Sequence, residues 1–414
     1  MGGRARRPRL AVAAGAVVTL TACGTAGAAP TLHRGDAVPV QAGELTARDV
    51  AEAQTAFGLD LLHAVCESTG DADVLLSPTS AAQALGLLYP ASAGGTADAV
   101  GALLHLPEWS PELVAALRDH TSGMDALRHD GDLDDEEAPD SLQTSNRLWA
   151  AAGVEPDRDY LDAIATAFDA DVRALDFAGD PEGATDRINA TVEEDTRGVV
   201  DELFDEPLRP RTVAVLTNAL HLKARWAVPF TGTAAAAFTT PSGEVSVEMM
   251  SGATGAGRTA DGWRSVELPY RDGTLAAVAV LPPEGTDPCA VDAATLAALQ
   301  AAGARTVGVR LPQLRIEQSH QLLDVLAAMG LPVAGDYSAL GRADVAISQV
   351  VQQTFLEVDE EGTEAAAATG VVVEEAAAAA PAEVVSSDRP FLLVLTDTAT
   401  RSPLFVAVVG DPSD

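Results

Sequence analysis

A globular fold mixing helices and strands is predicted by three stretches of this sequence. Val50, Ala53, Phe57, Leu61 and Val65 recur at helical spacing, which gives that segment one apolar face. The run Thr212-Val213-Ala214-Val215-Leu216-Thr217-Asn218-Ala219-Leu220-His221-Leu222-Lys223 is nearly apolar on both faces, as a strand buried inside a sheet is. Close to the C-terminus, residues 391–396 and 404–409 are apolar runs across a polar turn, which is the pattern of a hairpin.

Between these landmarks the elements follow from local signals. Residues 24–47 are small, polar and proline-punctuated, as a tether is. Val74, Leu75 and Leu76 form an apolar strand ending at Ser77, a helix cap with Pro78 at the first helical position. The helix that starts there carries Leu85 and Leu88. A second helix carries Ile188, Asn189, Val192 and Thr196. Strands are expected at 275–281 and near 306–316, then a helix over 320–329 closed by Gly330.

Hydrophobic residues make up 47% of the 414 and aromatics only 4%, so a sizeable core would be built mostly of Ala, Val and Leu. The formal charge is -35, from 61 Asp and Glu against 26 Lys and Arg, and Lys223 is the one lysine. Such a surface repels nucleic acid and anionic headgroups, so neither is expected as a partner. Residues 130–137 are acidic but lack the glycine and glutamate placement of a calcium loop, and they read as a solvated loop. No Gly-x-Ser-x-Gly elbow or His-Glu-x-x-His pair is present, which argues against an enzyme. The glycines of residues 252–257 lack the strand-to-helix context of a nucleotide loop, and no cofactor or metal is expected.

The N-terminus has Arg4, Arg6, Arg7 and Arg9, an apolar stretch over 10–20, then Leu20-Thr21-Ala22-Cys23. That is the plan of a secretory signal over residues 1–22. Its last four residues resemble a bacterial lipobox, in which Cys23 is lipidated and anchors an extracytoplasmic chain. Residues 23–48 would then be the tether and 49–414 a single domain. Cys66 and Cys289 are able to pair in an oxidising compartment, but two scattered cysteines read first as small buried hydrophobes.

One stretch resists a purely structural account. Glu360-Glu361-Gly362-Thr363-Glu364-Ala365-Ala366-Ala367-Ala368-Thr369 leads into Val371-Val372-Val373 and an alanine run before Pro381. By composition it is a low-complexity surface linker. By alternation it is a strand in waiting, because Thr363, Ala365, Ala367, Thr369, Val371 and Val373 would share one face. Alanines that favour helix and a glycine that favours turning complete a segment suited to two states.

The run 360–368 resembles the hinge of the serpins, the serine protease inhibitors that trap their target by loop insertion. Ser77-Pro78-Thr79-Ser80 is similar to the family's shutter motif, and the resemblance also places Asn218 and Gln352 in the shutter. It puts Trp226 at the top of the sheet, in the breach where the loop first enters. Asp388-Arg389-Pro390-Phe391-Leu392 fits the closing motif, so the likeness runs in order from about residue 49 to 412. What it implies is an α+β fold with a large mixed central sheet, two smaller sheets, about nine helices and an exposed reactive loop. Many serpins carry histidine where Gln352 stands; glutamine both donates and accepts hydrogen bonds but does not charge near neutral pH.

The resemblance further implies a monomeric suicide substrate with no catalytic group of its own. Glu360, Gly362, Thr363, Glu364, Ala365, Ala366, Ala367 and Ala368 would form its hinge. Counting along the family spacing from Glu360 makes Ala376-Ala377 the scissile pair, whereas aligning back from Pro381 favours Ala378-Ala379. Either register offers a small side chain, so the expected partner is a serine protease with a small specificity pocket, elastase-like or subtilisin-like, held in a covalent complex.

Overall fold

Three helices begin with an oxygen-bearing cap followed at once by proline. Ser77 and Pro78, Ser110 and Pro111, and Asp180 and Pro181 each start a helix, and each cap accepts a backbone N–H three residues on. Capping meets an N–H that has no partner within the helix, and proline gives up a donor that would have been spare.

The computed structural model describes residues 29–69, 73–129, 131, 137–200, 202–342, 345–363 and 383–413. Strand β1 (Thr31–His33) precedes α1 (Ala47–Thr69), β2 (Val74–Leu76), α2 (Pro78–Gly86), α3 (Gly95–Leu103) and α4 (Pro111–Asp125). Next come β3 (Ser141–Ala151), α5 (Arg158–Phe168), β4 (Val172–Leu175), α6 (Pro181–Asp195) and β5 (Ala214–Arg225). A run of strands follows: β6 (Gly232–Thr240), β7 (Gly243–Ser251), β8 (Thr254–Ala260), β9 (Trp263–Pro269) and β10 (Leu275–Leu281). After α7 (Ala293–Ala301) lie β11 (Arg305–Pro312), β12 (Leu314–Gln321) and α8 (Leu323–Ala328). The chain closes with β13 (Ile347–Val358), β14 (Gly362–Thr363), β15 (Val384–Ser386), β16 (Phe391–Asp397) and β17 (Pro403–Val409).

Seven strands form a central mixed sheet in the order β1-β4-β3-β5-β14-β13-β12. Its long middle strand, β5, is the apolar run singled out in the sequence, and its first nine residues are all buried. Along most of its length β5 pairs directly and in parallel with β13, through seven positions from Ala214 to Leu220. Only at its far end does β14 stand between the two. Helix α6 covers the outer face, where Trp149, Ile188, Val192, Val215 and Val351 pack together. On the inner face, α1, α2 and the second layer of strands enclose the larger cores.

Several expectations are corrected. The two smaller sheets are joined, because β11 pairs with β8 through Arg305–Gly308 and then with β7 through Leu311 and Pro312. Among the described residues there are eight α-helices and two 3-10 turns, in keeping with the expectation of about nine helices. The helix expected over 320–329 is only α8, since His320 and Gln321 extend β12 by pairing with Gln352 and Val351. Part of the stretch expected as a tether, 23–48, docks on the domain: β1 pairs with β4, and the Val38 N–H donates to Thr166 Oγ1 at 2.9 Å. Cys66 and Cys289 form a disulfide, with Cα atoms 6.5 Å apart across 223 residues of sequence. Sequence distance hid that pair, which α1 and the turn before α7 bring together.

Buried titratable groups make the fold acid-sensitive. His120 on α4 is 1% exposed, and its Nε2 lies 2.8 Å from Ser402 Oγ, which in turn lies 2.7 Å from Thr400 Oγ1. Burial pushes its pKa down from 6.5 to about 4, although Asp397 pulls the other way. The unfolded chain therefore takes up this proton first as pH falls, so stability is complete above about pH 6.5 and declines towards pH 4. A depression of that size corresponds to roughly 3 kcal/mol. Urea unfolding of His120→Gln at pH 7 and pH 4 is expected to show a smaller acid loss than the parent; equal losses would remove His120 from the account.

Candidate functional site

The end of β5 holds residues 359–363, the start of the stretch expected to be the hinge. After β13 the chain turns at Asp359, whose carboxylate accepts the Glu361 and Gly362 N–H groups at 2.8 and 2.9 Å. Burial raises the Asp359 carboxyl, and those two donors offset this only in part. Burial would also raise Glu360, but hydrogen bonds from Thr233, its own backbone and Gln313 outweigh it and hold the carboxyl below its ordinary value. Trp226 fixes the other side: its backbone N–H donates to Glu361 O at 2.8 Å and its indole Nε1 to Asp359 O at 2.9 Å. The Trp226 ring stacks on Tyr270 with centroids 4.5 Å apart.

This turn delivers two residues into the central sheet. Gly362 pairs with Arg225 and Thr363 with Ala224, while Thr363 also pairs with Val358 on β13. A Cβ on Gly362 would collide with the Ala224 carbonyl oxygen and stand 2.8 Å from Arg225 Cα, so glycine is required by close approach. Thr363 is 1% exposed, with its hydroxyl hydrogen-bonded to the Tyr270 phenol. Gly362 and Thr363, the part of the expected hinge that lies within the described residues beyond Glu361, are thus paired as a short strand.

Halfway along the sheet, a row of amides crosses the same strands. Register places Asn146 of β3 beside Asn218 of β5, and Asn218 beside Gln352 of β13. Gln352 Nε2 donates to Asn218 Oδ1 and, at 3.0 Å, to Ser77 O, while its Oε1 accepts the Ser77 N–H at 2.9 Å. Asn218 Nδ2 donates to Ser80 Oγ and Asn146 Oδ1; Asn146 Nδ2 then reaches Gln83 Oε1 at 2.8 Å. Gln352 and Asn218 are 0% and 2% exposed, so every bond in the row replaces water. One side-chain bond, Gln352 to Asn218, crosses from β13 to β5 here, beside their backbone ladder.

A profile of the family described as Serpin (serine protease inhibitor) matches residues 52–412. The chain is a serpin. An uncharacterized serpin-like protein of Thermococcus kodakarensis is 31% identical over 381 residues, spanning 89% of this chain and 87% of that protein. Among solved structures, the thermophilic serpin tengpin in its native state superposes with a TM-score of 0.78 at 25% identity, covering 91% of this chain and 97% of the other. Human thyroxine-binding globulin, solved with thyroxine, gives a TM-score of 0.75 at 25% identity over 89% of this chain and all of the other.

Within this serpin, the residues singled out in the sequence fall into two groups. Glu360, Gly362, Thr363 and Trp226 meet at the end of β5, and Ser77, Ser80, Asn218 and Gln352 meet at its middle. Glu364, Ala365–Ala368, Ala376–Ala379 and Cys23 lie outside the described residues. Sequence reasoning assigned no role to Tyr270, Asp359, Asn146 or Gln83. The contact of Tyr270 with Thr363 spans 93 residues and leaves no local trace.

The amide at position 352 suggests a pH test. Gln352→His is expected to keep the parent's stability at pH 7.5, where neutral imidazole also donates and accepts. Burial lowers a histidine's pKa, so the unfolded variant protonates first and the fold weakens as pH falls below about 6.5, by about 1.4 kcal/mol per unit of depression. Urea midpoints at pH 7.5 and 5.5 read this directly. A parallel fall in parent and variant would mean that the imidazole is not held neutral.

Proposed function

We propose that this serpin is a suicide substrate of serine proteases with a small specificity pocket. The observation that carries the reading is Thr363, small, buried and already paired between β5 and β13. The protease serine Oγ attacks the scissile carbonyl at Ala376-Ala377 or Ala378-Ala379, an ester forms, and the amide breaks with its nitrogen taking the proton. The freed hinge side then enters between β5 and β13 as a full strand and draws the acylated protease with it. Alanine at every candidate position suits an elastase-like or subtilisin-like pocket; a trypsin-like enzyme lacks its Arg or Lys.

Energetics support the direction. Insertion exchanges the existing β5–β13 ladder of seven positions for two ladders, one on each side of the new strand. A net gain of about ten hydrogen bonds at ~1 kcal/mol each makes the change downhill by about 10 kcal/mol. Its barrier lies in parting β5 from β13, and the Gln352–Asn218 bond is the shutter that must open.

The same reading takes residues 1–22 as a lipoprotein signal and Cys23 as the lipidated anchor of a monomer outside the cytoplasm. The Cys66–Cys289 disulfide supports an oxidising compartment. A second reading, a non-inhibitory binding or carrier protein, is favoured by one feature. A cavity of about 320 Å³ lies between α1, α7, β10 and β16, lined by Leu59, Leu296, Val278 and Val394 with Arg258 and Arg401 at its polar side.

Mixing the protein with pancreatic elastase and with subtilisin, followed by denaturing electrophoresis, separates the two. A band near the summed masses supports trapping, and its fragment mass gives the scissile bond. Clean cleavage without that band overturns the inhibitory reading in favour of the carrier.

A further inference from the structure

We propose that the Cys66–Cys289 disulfide is a redox-controlled fastener. It seats the connection between β10 and β11, residues 282–304 with α7 inside it, over the cavity between α1, α7, β10 and β16, and its reduction by a dithiol lets that cover lift. The device works on the uncut chain and does not depend on loop insertion.

The cover is thin. Of residues 282–304, only Pro282, Pro288, Val291 and Leu299 are buried, and Leu299 is the one buried residue of α7. A segment with so few buried apolar side chains opens locally at a small cost compared with the domain as a whole. Yet α7 forms one wall of the cavity of about 320 Å³, through Leu296, Leu299 and Gln300, alongside Thr55 and Leu59 of α1. Helix α1 itself is firm, because Phe57, Leu61, Leu62 and Val65 are buried in the larger core.

The disulfide ties the loose element to the firm one. Cys66 lies in the last turn of α1, and Cys289 in the 3-10 turn Pro288–Ala290, just before Asp292 caps α7 by accepting the Thr295 N–H at 2.7 Å. Beside it, His63 Nε2 on α1 lies 2.8 Å from Val291 O. Pinning residue 289 to α1 removes much of the conformational freedom that the connection would gain on opening, so opening is disfavoured while the bond is intact. Both cysteines are partly exposed, which leaves them within reach of a small dithiol. Its thiolate attacks one sulfur and displaces the other as a thiolate; its second thiol then attacks the mixed disulfide and closes the reductant's own ring. Both cysteines end as thiols, and the dithiol has given up two electrons and two protons.

Hydrogen exchange read by mass spectrometry tests this on the full chain, oxidised, reduced with dithiothreitol, and as Cys66→Ser with Cys289→Ser. Reduction and the double substitution are each expected to speed exchange across α7 by at least about 10-fold, while peptides of β5 exchange as before. Anilinonaphthalene sulfonate, an apolar anion, is expected to fluoresce several-fold more strongly with the reduced protein, and reoxidation to reverse both changes. Unchanged exchange across α7 overturns the fastener, because burial of Val291 and Leu299 then suffices to hold the cover. Equal acceleration of α7 and β5 overturns it too, since the bond would then be a staple of the whole domain. A disulfide that dithiothreitol leaves intact in the folded protein overturns the redox control, even where the double substitution loosens α7. Faster exchange across α7 with no gain in dye fluorescence overturns the opening of the cavity.

Discussion

Thr363→Arg is expected to convert the inhibitor into a plain substrate: cleaved at the parental rate, but with the covalent complex reduced at least about 100-fold. Thr363 is 1% exposed and its hydroxyl meets the Tyr270 phenol beneath the stacked Trp226 ring. A guanidinium in that place would replace a neutral hydroxyl hydrogen-bonded to a phenol, and taking a charge out of water into a buried site costs several kcal/mol. Entry of the hinge begins at this residue, so a penalty of only ~3 kcal/mol on the entry barrier slows insertion by about two orders of magnitude. Hydrolysis of the ester then wins the race. The uncut fold is expected to hold, because β14 is a two-residue strand and its release leaves the β5–β13 ladder of seven positions intact. Denaturing electrophoresis with elastase reads the partition, and melting reads the fold. A covalent band at parental yield would refute the claim that Thr363 must be buried for trapping.

Asn218→Ala is expected to weaken the uncut protein by about 4 kcal/mol. The substitution removes the hydrogen bonds with Gln352, Ser80 and Asn146 at once, each worth about 0.5–1.5 kcal/mol net, and leaves a cavity at a buried site, while Gln352 keeps Ser77 and Ser80 keeps Asn146. It also removes the bond joining the two strands that separate on insertion, so the uncut form loses more than the cut form. Urea unfolding of both forms measures the difference. Equal losses in the two would show that the amide row acts as ordinary core and has no bearing on opening.

Much of this architecture is legible before folding. The apolar run around Asn218 is β5, the cap at Ser77 does start a helix, and the final hairpin runs as Phe391–Asp397 and Pro403–Val409. These signals are local: periodicity, capping chemistry and turn residues lie within a few positions of one another. The end of β12 was misread as helix because His320 and Gln321 have no strong local preference, and pairing with β13 decides their state. The docking of Thr31–His33 on β4 was missed for the same reason, since a three-residue strand carries almost no pattern of its own.

By itself, then, the sequence determined the long apolar strands and the capped helix at Ser77, and that Thr363 and the alanines beyond it are small, while the family resemblance set Gln352 beside the motif at Ser77. Tertiary structure alone decided that Gly362 and Thr363 already sit between β5 and β13, that Asn146 completes the row, and that Cys66 meets Cys289. The reason is physical. Small side chains and caps act through the nearest turn of backbone, whereas a row across three strands or a disulfide over 223 residues depends on the register of distant segments, which is set only when they pack together.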